Sequence, residues 1–199
     1  MTIEANLCEL TATILAKALA RREISARDAL EAHLARITAL DAQLSAFITV
    51  DADGARRQAD ACDAASAPMG PLHGVPIAVK DLTNTRGLRT TYGSLLFQNH
   101  VPDQDELVVA RLRQAGAIII GKTNTPEFGF GAVCTNRLCE PTRNPFDLAL
   151  TSGGSSGGVL PSPSQREWSL SLTAPILAAR CVRRQVSAMW LRSVRHPAG

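Results

Sequence analysis

The densest run of potential chemistry in the chain is Thr151-Ser152-Gly153-Gly154-Ser155-Ser156-Gly157-Gly158. Its glycines let the backbone turn sharply and approach a ligand closely, and its serine hydroxyls can donate, accept or attack. A hydroxyl attacks only when another group takes its proton, so a base must come from elsewhere. Lys80 is a candidate because it ends the apolar run Val75-Pro76-Ile77-Ala78-Val79, and the carboxyl edge of a strand in an open α/β sheet is where ligands bind. A lysine is a base only as the neutral amine, which calls for a desolvated site or a neighbouring positive charge. The plainer alternative is a lysine reaching for water from a strand end.

Two other patterns compete for the same residues. Gly153-Gly154-Ser155-Ser156-Gly157 satisfies the G-x-S-x-G elbow of α/β-hydrolases, an arrangement that needs a strand before it and Asp or Glu and His after it. The stretch from Asn144 to Ser152 makes a poor strand, and only Glu167 and His196 follow. Gly121-Lys122-Thr123 resembles part of a phosphate loop, but Gly116, five residues earlier, reads as a helix stop followed by a strand, which argues against a nucleotide site.

The elements that must position these groups follow from hydrophobic spacing. A short helix over 8–22 carries Leu10, Ile14, Leu15, Ala18 and Leu19 on one face. Ser25 with Asp28 resembles a capping box opening a second helix with the stripe Leu30, Leu34, Ile37, Leu44, and His33 sits beside that stripe as a boundary residue. Ala46–Val50 reads as a strand, and the Ala-rich segment to about Ala65 as a surface helix. After a loop at Ser66–Pro71 come the Lys80 strand and a long surface excursion over 82–104. A helix over Asp105–Ala115 with Leu107, Val108, Leu112 and Ala115 inward is stopped by Gly116, and Ala117–Ile120 is a buried strand. Strand, helix and strand form a βαβ-like unit, so the fold class expected is α/β.

With 45% apolar residues in 199, the composition supports a single domain with a core. No apolar run is long enough to span a bilayer, and the start, with Glu4 and Glu9, lacks a basic leader, so a cytoplasmic location is expected. The five cysteines, Cys8, Cys62, Cys134, Cys139 and Cys181, show no metal-ligand spacing and read as reduced, mostly buried thiols, although Cys134 and Cys139 could meet across a loop. The net charge of +3 divides into −2 before Val159 and +5 after it. The arginines of that tail lie scattered among Pro, Ser and Trp without a periodic face, a weak signal for nucleic acid or an acidic membrane.

Four stretches taken in order, Gly74–Asp81 (GVPIAVKD), Gly121–Phe128 (GKTNTPEF), Asn144–Asp147 (NPFD) and Gly153–Gly158 (GGSSGG), resemble the amidase signature family. The resemblance covers about residues 8 to 158. It implies an incomplete α/β/α layered fold with a mixed central sheet and a Ser/cis-Ser/Lys triad that hydrolyses carboxylic amides. Lys80 would then be the triad lysine and Ser155 the bridging serine, preceded by a cis peptide bond, with Gly154 and Ser156 in substrate binding. No cofactor or metal is implied. A small-molecule amide is the implied substrate, no membrane is involved, and tRNA is implied only if the chain is an amidotransferase subunit.

The nucleophile of that family is a later serine in an Asp-Thr-Gly-Gly-Ser-(Val/Ile)-Arg block, and no such block occurs here: residues 174 to 180 are Ala-Pro-Ile-Leu-Ala-Ala-Arg. Codons read one base out of register from Pro175 onward permit Asp-Thr-Gly-Gly-Ser-Val-Arg. The expectation is therefore a one-base slip near the codon for Gly158, with residues 1–158 the N-terminal part of an amidase domain and 159–199 a frameshifted tail without native fold. A chain so truncated is expected to be inactive as an amidase, the alternatives being a non-catalytic remnant or a binding protein, or an α/β-hydrolase using Ser155.

Overall fold

A computed structural model describes residues 7–156 of the chain. The expected tail over 159–199, together with Gly157, Gly158 and Cys181, lies outside the described residues.

Helix α1 (Ala12–Ala20) starts where the Thr11 hydroxyl accepts from the Ile14 N–H at 3.3 Å. It is shorter than the apolar spacing suggests: Leu15 and Leu19 are buried but Ile14 is exposed. Helix α2 (Ala26–Leu44) is capped by Ser25, which accepts from Asp28 N at 2.9 Å. The Asp63 carboxylate, from the next helix, accepts from the orphan N–H groups of Ala26 and Arg27. All four residues of the expected stripe, Leu30, Leu34, Ile37 and Leu44, are buried. His33 is not a boundary residue: it is 2% exposed, because its ring turns inward and bonds the Ala29 carbonyl through Nδ1 at 2.7 Å. The helix ends at Ser45 in the left-handed region, and Asp41 Oδ1 takes the N–H groups of Ala46 and Phe47 as the chain enters β1 (Phe47–Val50).

Helix α3 (Ala52–Ala64) buries Ala55, Ala59 and Cys62, small side chains that allow close packing on α2 and on the sheet. Strand β2 (Pro76–Lys80) is buried throughout, as is β3 (Ile118–Thr123), which runs three residues beyond the expected apolar stretch. Between them α4 (Leu107–Gln114) turns Val109 and the expected Leu112 into the core, with Val108 packed against it, and leaves Leu107 exposed, contrary to the sequence reading. Its stop is Gly116 at φ +87°, where a Cβ would stand 2.9 Å from His73 Cα. The central sheet has the order β1-β3-β2, with β3 parallel to β2 and antiparallel to β1. It is a mixed sheet with helices around it, and Leu15, Leu30, Val109 and Ile118–Ile120 share one core.

The excursion over 82–104 is more than a surface loop. Its two arms are tied by Gly87 N to Pro102 O, Thr90 N to His100 O and Arg86 N to Asp105 Oδ1. Thr85, Leu88, Thr90, Thr91 and Ser94 are buried. Arg89 donates to Ile48 O and Thr49 Oγ1 of β1, fastening it to the sheet. The last described elements form a hairpin, β4 (Arg143–Asn144) and β5 (Asp147–Thr151). The expected turn at Asn144–Asp147 is therefore present, but the segment after it is a strand whose residues are all exposed. Pairing with β4, rather than apolar alternation, makes it one.

Candidate active site

Strands β2 and β3 end side by side with Val79 opposite Lys122 and Lys80 opposite Thr123. Successive side chains of a strand point to opposite faces, so Lys80 stands on one face of the sheet while Lys122 and Asp81 share the other.

On the second face both charged groups are fully buried. Lys122 Nζ donates to the Thr83 carbonyl and, at 2.9 Å, to Thr85 Oγ1. Asp81 accepts from the Thr91 N–H and hydroxyl. Burial pushes the Lys122 amine down to about 8, against the attraction of Asp81, Glu106 and Asp105. Burial also raises the Asp81 carboxyl, opposed by Thr91 and by the Lys122 charge. Lys122 thus belongs to a strand and ties down the excursion.

On the first face Lys80 is 7% exposed, and its Nζ lies 3.0 Å from Ser155 Oγ and 3.5 Å from Ser156 Oγ. The glycine-serine loop reaches it in three steps. Ser152 N donates to Thr142 O at 3.0 Å, Gly153 turns at φ +73°, and Gly154 settles against the backbone of Ala132 and Val133. A Cβ on Gly154 would stand 2.8 Å from Ala132 C and Val133 N, so only glycine fits this seat without displacing backbone. The Gly154–Ser155 peptide bond is cis. Both serines are half-buried. A lysine within hydrogen-bond reach of a hydroxyl, on a face largely closed to water, can exchange a proton with it.

Lys80, Ser155, Ser156 and Gly154, the residues expected from the sequence, are therefore brought together across 75 residues of chain. At the level of sequence Lys122 reads only as part of a rejected phosphate loop, and Asn124 only as a member of the GKTNTPEF stretch. Both follow the run Ile118–Ile120, and polar residues closing an apolar strand at its carboxyl edge were the available signal. Asn124 is fully buried and joins β3 to Ser45, Glu140 and Thr142. Cys8, Cys62 and Cys134 are buried thiols and Cys139 is half-buried. Among the described residues no cluster of His, Cys, Asp and Glu is placed to hold a metal, and no helix is long and apolar enough to cross a membrane.

The amidase family profile matches residues 28–159. The chain is 48% identical over 156 residues to a glutamyl-tRNA(Gln) amidotransferase subunit of Acidothermus cellulolyticus, covering 77% of this chain and 31% of that protein. To the corresponding subunit of the Roseiflexus strain RS-1 it is 46% identical over 154 residues, 76% of this chain and 32% of that protein. Among solved structures, fatty acid amide hydrolase superposes with a TM-score of 0.75 at 29% identity, over 80% of this chain and 29% of that one. Peptide amidase from Stenotrophomonas maltophilia superposes at 0.72 and 32%, over 78% and 34%. The chain spans about a third of the length of the curated relatives it matches. With the family profile covering the stretch that holds both Lys80 and Ser155, this chain belongs to the amidase family.

Proposed function

We propose that residues 1–158 carry the proton-handling part of an amide-cleaving site, with Lys80 as the base and Ser155 as the relay. The observation that carries this reading is the 3.0 Å contact between Lys80 Nζ and Ser155 Oγ. A neutral Lys80 accepts the Ser155 proton while Ser155 accepts one from an attacking hydroxyl, which leaves that hydroxyl nucleophilic. The resulting ammonium returns the proton along the same path to the departing amine, without which the C–N bond does not break. Gly154, seated against Ala132–Val133, holds the loop close enough for this exchange, and Ser156 is near enough to Lys80 to assist in holding the amide. The reaction uses no cofactor. The substrate is a carboxylic amide, and the greater identity to the amidotransferase subunits supports transfer of the amide nitrogen to a tRNA-bound acyl group as the second reading.

The attacking hydroxyl belongs to the block absent from the 199-residue sequence, so the chain is proposed to be inactive, with a one-base slip near the Gly158 codon separating it from the remainder of the domain. The coding DNA tests this first: if its bases do not spell Asp-Thr-Gly-Gly-Ser in the shifted frame, the slip is refuted. Turnover of a simple carboxamide tests the rest. None is expected from the 199-residue chain. The frame-restored protein is expected to turn over and to lose roughly 10²-fold or more on Lys80→Ala or Ser155→Ala. Turnover by the 199-residue chain, or turnover that survives Lys80→Ala, would contradict the proposal.

A further inference from the structure

We propose that Asn124 is a positioning residue for Ser155, holding the glycine-serine loop at its distance from Lys80 through Thr142 and Ser152. This rests on the reading of Lys80 and Ser155 as relay partners and adds to it the group that sets their separation. Lys80 needs little help, because β2 places it by backbone pairing with β3. Ser155 lies beyond an exposed hairpin in which, among the described residues, β5 pairs only with the two-residue β4.

Asn124 supplies what the hairpin lacks. It leaves β3 one residue after Thr123, with its N–H bonded to Ala46 O at 2.8 Å, so its backbone is as fixed as the sheet. Its Nδ2 group faces Thr142 Oγ1 at 2.9 Å, Glu140 O at 3.2 Å and Ser45 O at 3.3 Å. Its Oδ1 accepts from Thr125 N at 2.8 Å and from Asn136 Nδ2 at 2.7 Å. A carboxamide offers two donor hydrogens and an oxygen with two lone pairs, so its capacity is fully used in a site closed to water. Thr142, 1% exposed, passes the constraint on: its hydroxyl donates to Ser45 O at 2.7 Å, and its carbonyl accepts from Ser152 N, three residues before Ser155. The second support of the loop comes from the same hub. Asn136, anchored on Asn124 Oδ1 and Thr125 O, lies in the segment after the Ala132–Val133 backbone on which Gly154 rests, and Cys134 O of that segment accepts from Thr142 N. Both supports of the Ser155 loop, Thr142 and the segment that carries Asn136, are bonded to this one buried amide.

The chain contains three lysines, Lys17, Lys80 and Lys122, so selective 13C,15N-lysine labelling of the 199-residue protein gives three Cε–Nζ correlations, assigned by substitution to Arg. Ser155→Ala is expected to displace the Lys80 signal. Asn124→Ala is expected to displace it in the same direction, and to cause no further displacement when Ser155 is already Ala, the non-additivity of residues acting through one contact. Thr142→Val is expected to behave like Asn124→Ala, while Thr142→Ser keeps the hydroxyl and leaves the signal in place. The proposal is overturned if Asn124→Ala leaves the Lys80 signal unmoved while Ser155→Ala moves it. It is also overturned if Asn124→Ala moves the signal equally in the Ser155→Ala background. Loss of folding in both Asn124→Ala and Thr142→Val would assign the hub to the fold rather than to Ser155. If Ser155→Ala itself leaves Lys80 unmoved, the relay reading fails first and takes this one with it.

Discussion

Lys122→Met should remove a rise in stability at alkaline pH that the native chain shows. Lys122 is fully buried, and its amine is lowered from 10.5 to about 8 chiefly by loss of water. Below pH 8 both folded and unfolded chains carry the proton, and Lys122 contributes no pH dependence. Between about 8 and 10.5 the folded chain releases it while the unfolded chain keeps it, so the unfolded state binds more protons and stability rises with pH. The contribution is complete above 10.5 and is lost as pH falls through 8. The full span corresponds to about 3 kcal/mol, at roughly 1.4 kcal/mol per pH unit of displacement. The raised Cys8, Cys62 and Cys139 thiols oppose it, because the folded chain holds those protons longer, so the native protein alone does not isolate the effect. The difference between native and Lys122→Met does. Urea denaturation followed by circular dichroism from pH 7 to 10.5 should show the native chain gaining on the variant across that window. Methionine keeps the stem's volume but removes one of two donors to Thr83 O, the donor to Thr85 Oγ1 and the positive neighbour of Asp81, so the offset at pH 7 is not the test; the slope is. A flat difference would refute the reasoning, as would a directly titrated Lys122 resonance with a midpoint near 10.5.

Other outcomes follow from the same structure. His33 Nε2 has no hydrogen-bond partner among the described residues, and burial lowers the imidazole below 6.5, so its contribution is full above 6.5 and is lost as the pH falls; His33→Leu should flatten the acid limb of the stability profile, measured by denaturation between pH 7 and 5. Gly154→Ala places a Cβ 2.8 Å from the Ala132–Val133 backbone, an overpacking that costs about 1–3 kcal/mol and should displace the Lys80 resonance as Ser155→Ala does; an unmoved resonance would mean that the seat does not set the contact. Glu31 accepts from both Arg27 and Arg56, which hold its carboxyl at about 2, but its side chain is 40% exposed. Glu31→Gln should therefore cost only about 1 kcal/mol or less at neutral pH in the same denaturation assay, a contribution lost as pH falls from 4.5 toward 2; a cost several times larger would show that water screens the cluster less than its exposure implies.

Much of the architecture can be read locally because local rules made it. Ser25 caps α2 by its own hydroxyl, the stripe Leu30, Leu34, Ile37, Leu44 falls on one face by periodicity, and Gly116 ends α4 where positive φ is needed. The exceptions share a cause. His33 is buried because neighbouring elements close over it, α4 shows the core Val109 rather than Leu107 because of how it is set down, and Asp147–Thr151 is a strand only because Arg143–Asn144 pairs with it. None of these can be seen within a window of neighbouring residues, since the partner that decides each one comes from another element.

The candidate site divides along the same line. Residue types and their spacing nominated candidates, a lysine closing an apolar strand and serines set among glycines, and the four ordered stretches that resemble the amidase signature family paired Lys80 with Ser155. They could not show that Lys80 and Lys122, at corresponding ends of adjacent strands, serve opposite faces, because that depends on a pairing register of Val79 with Lys122 and Lys80 with Thr123. Nor could they show that a single amide, Asn124, ties the strand end to the loop that meets Lys80, because hydrogen bonds to Ser45, Thr142 and Asn136 exist only once three separate stretches of chain have been folded together. Residue type sets what a group can do, and tertiary structure sets which groups lie within 3.0 Å of one another, as Lys80 and Ser155 do.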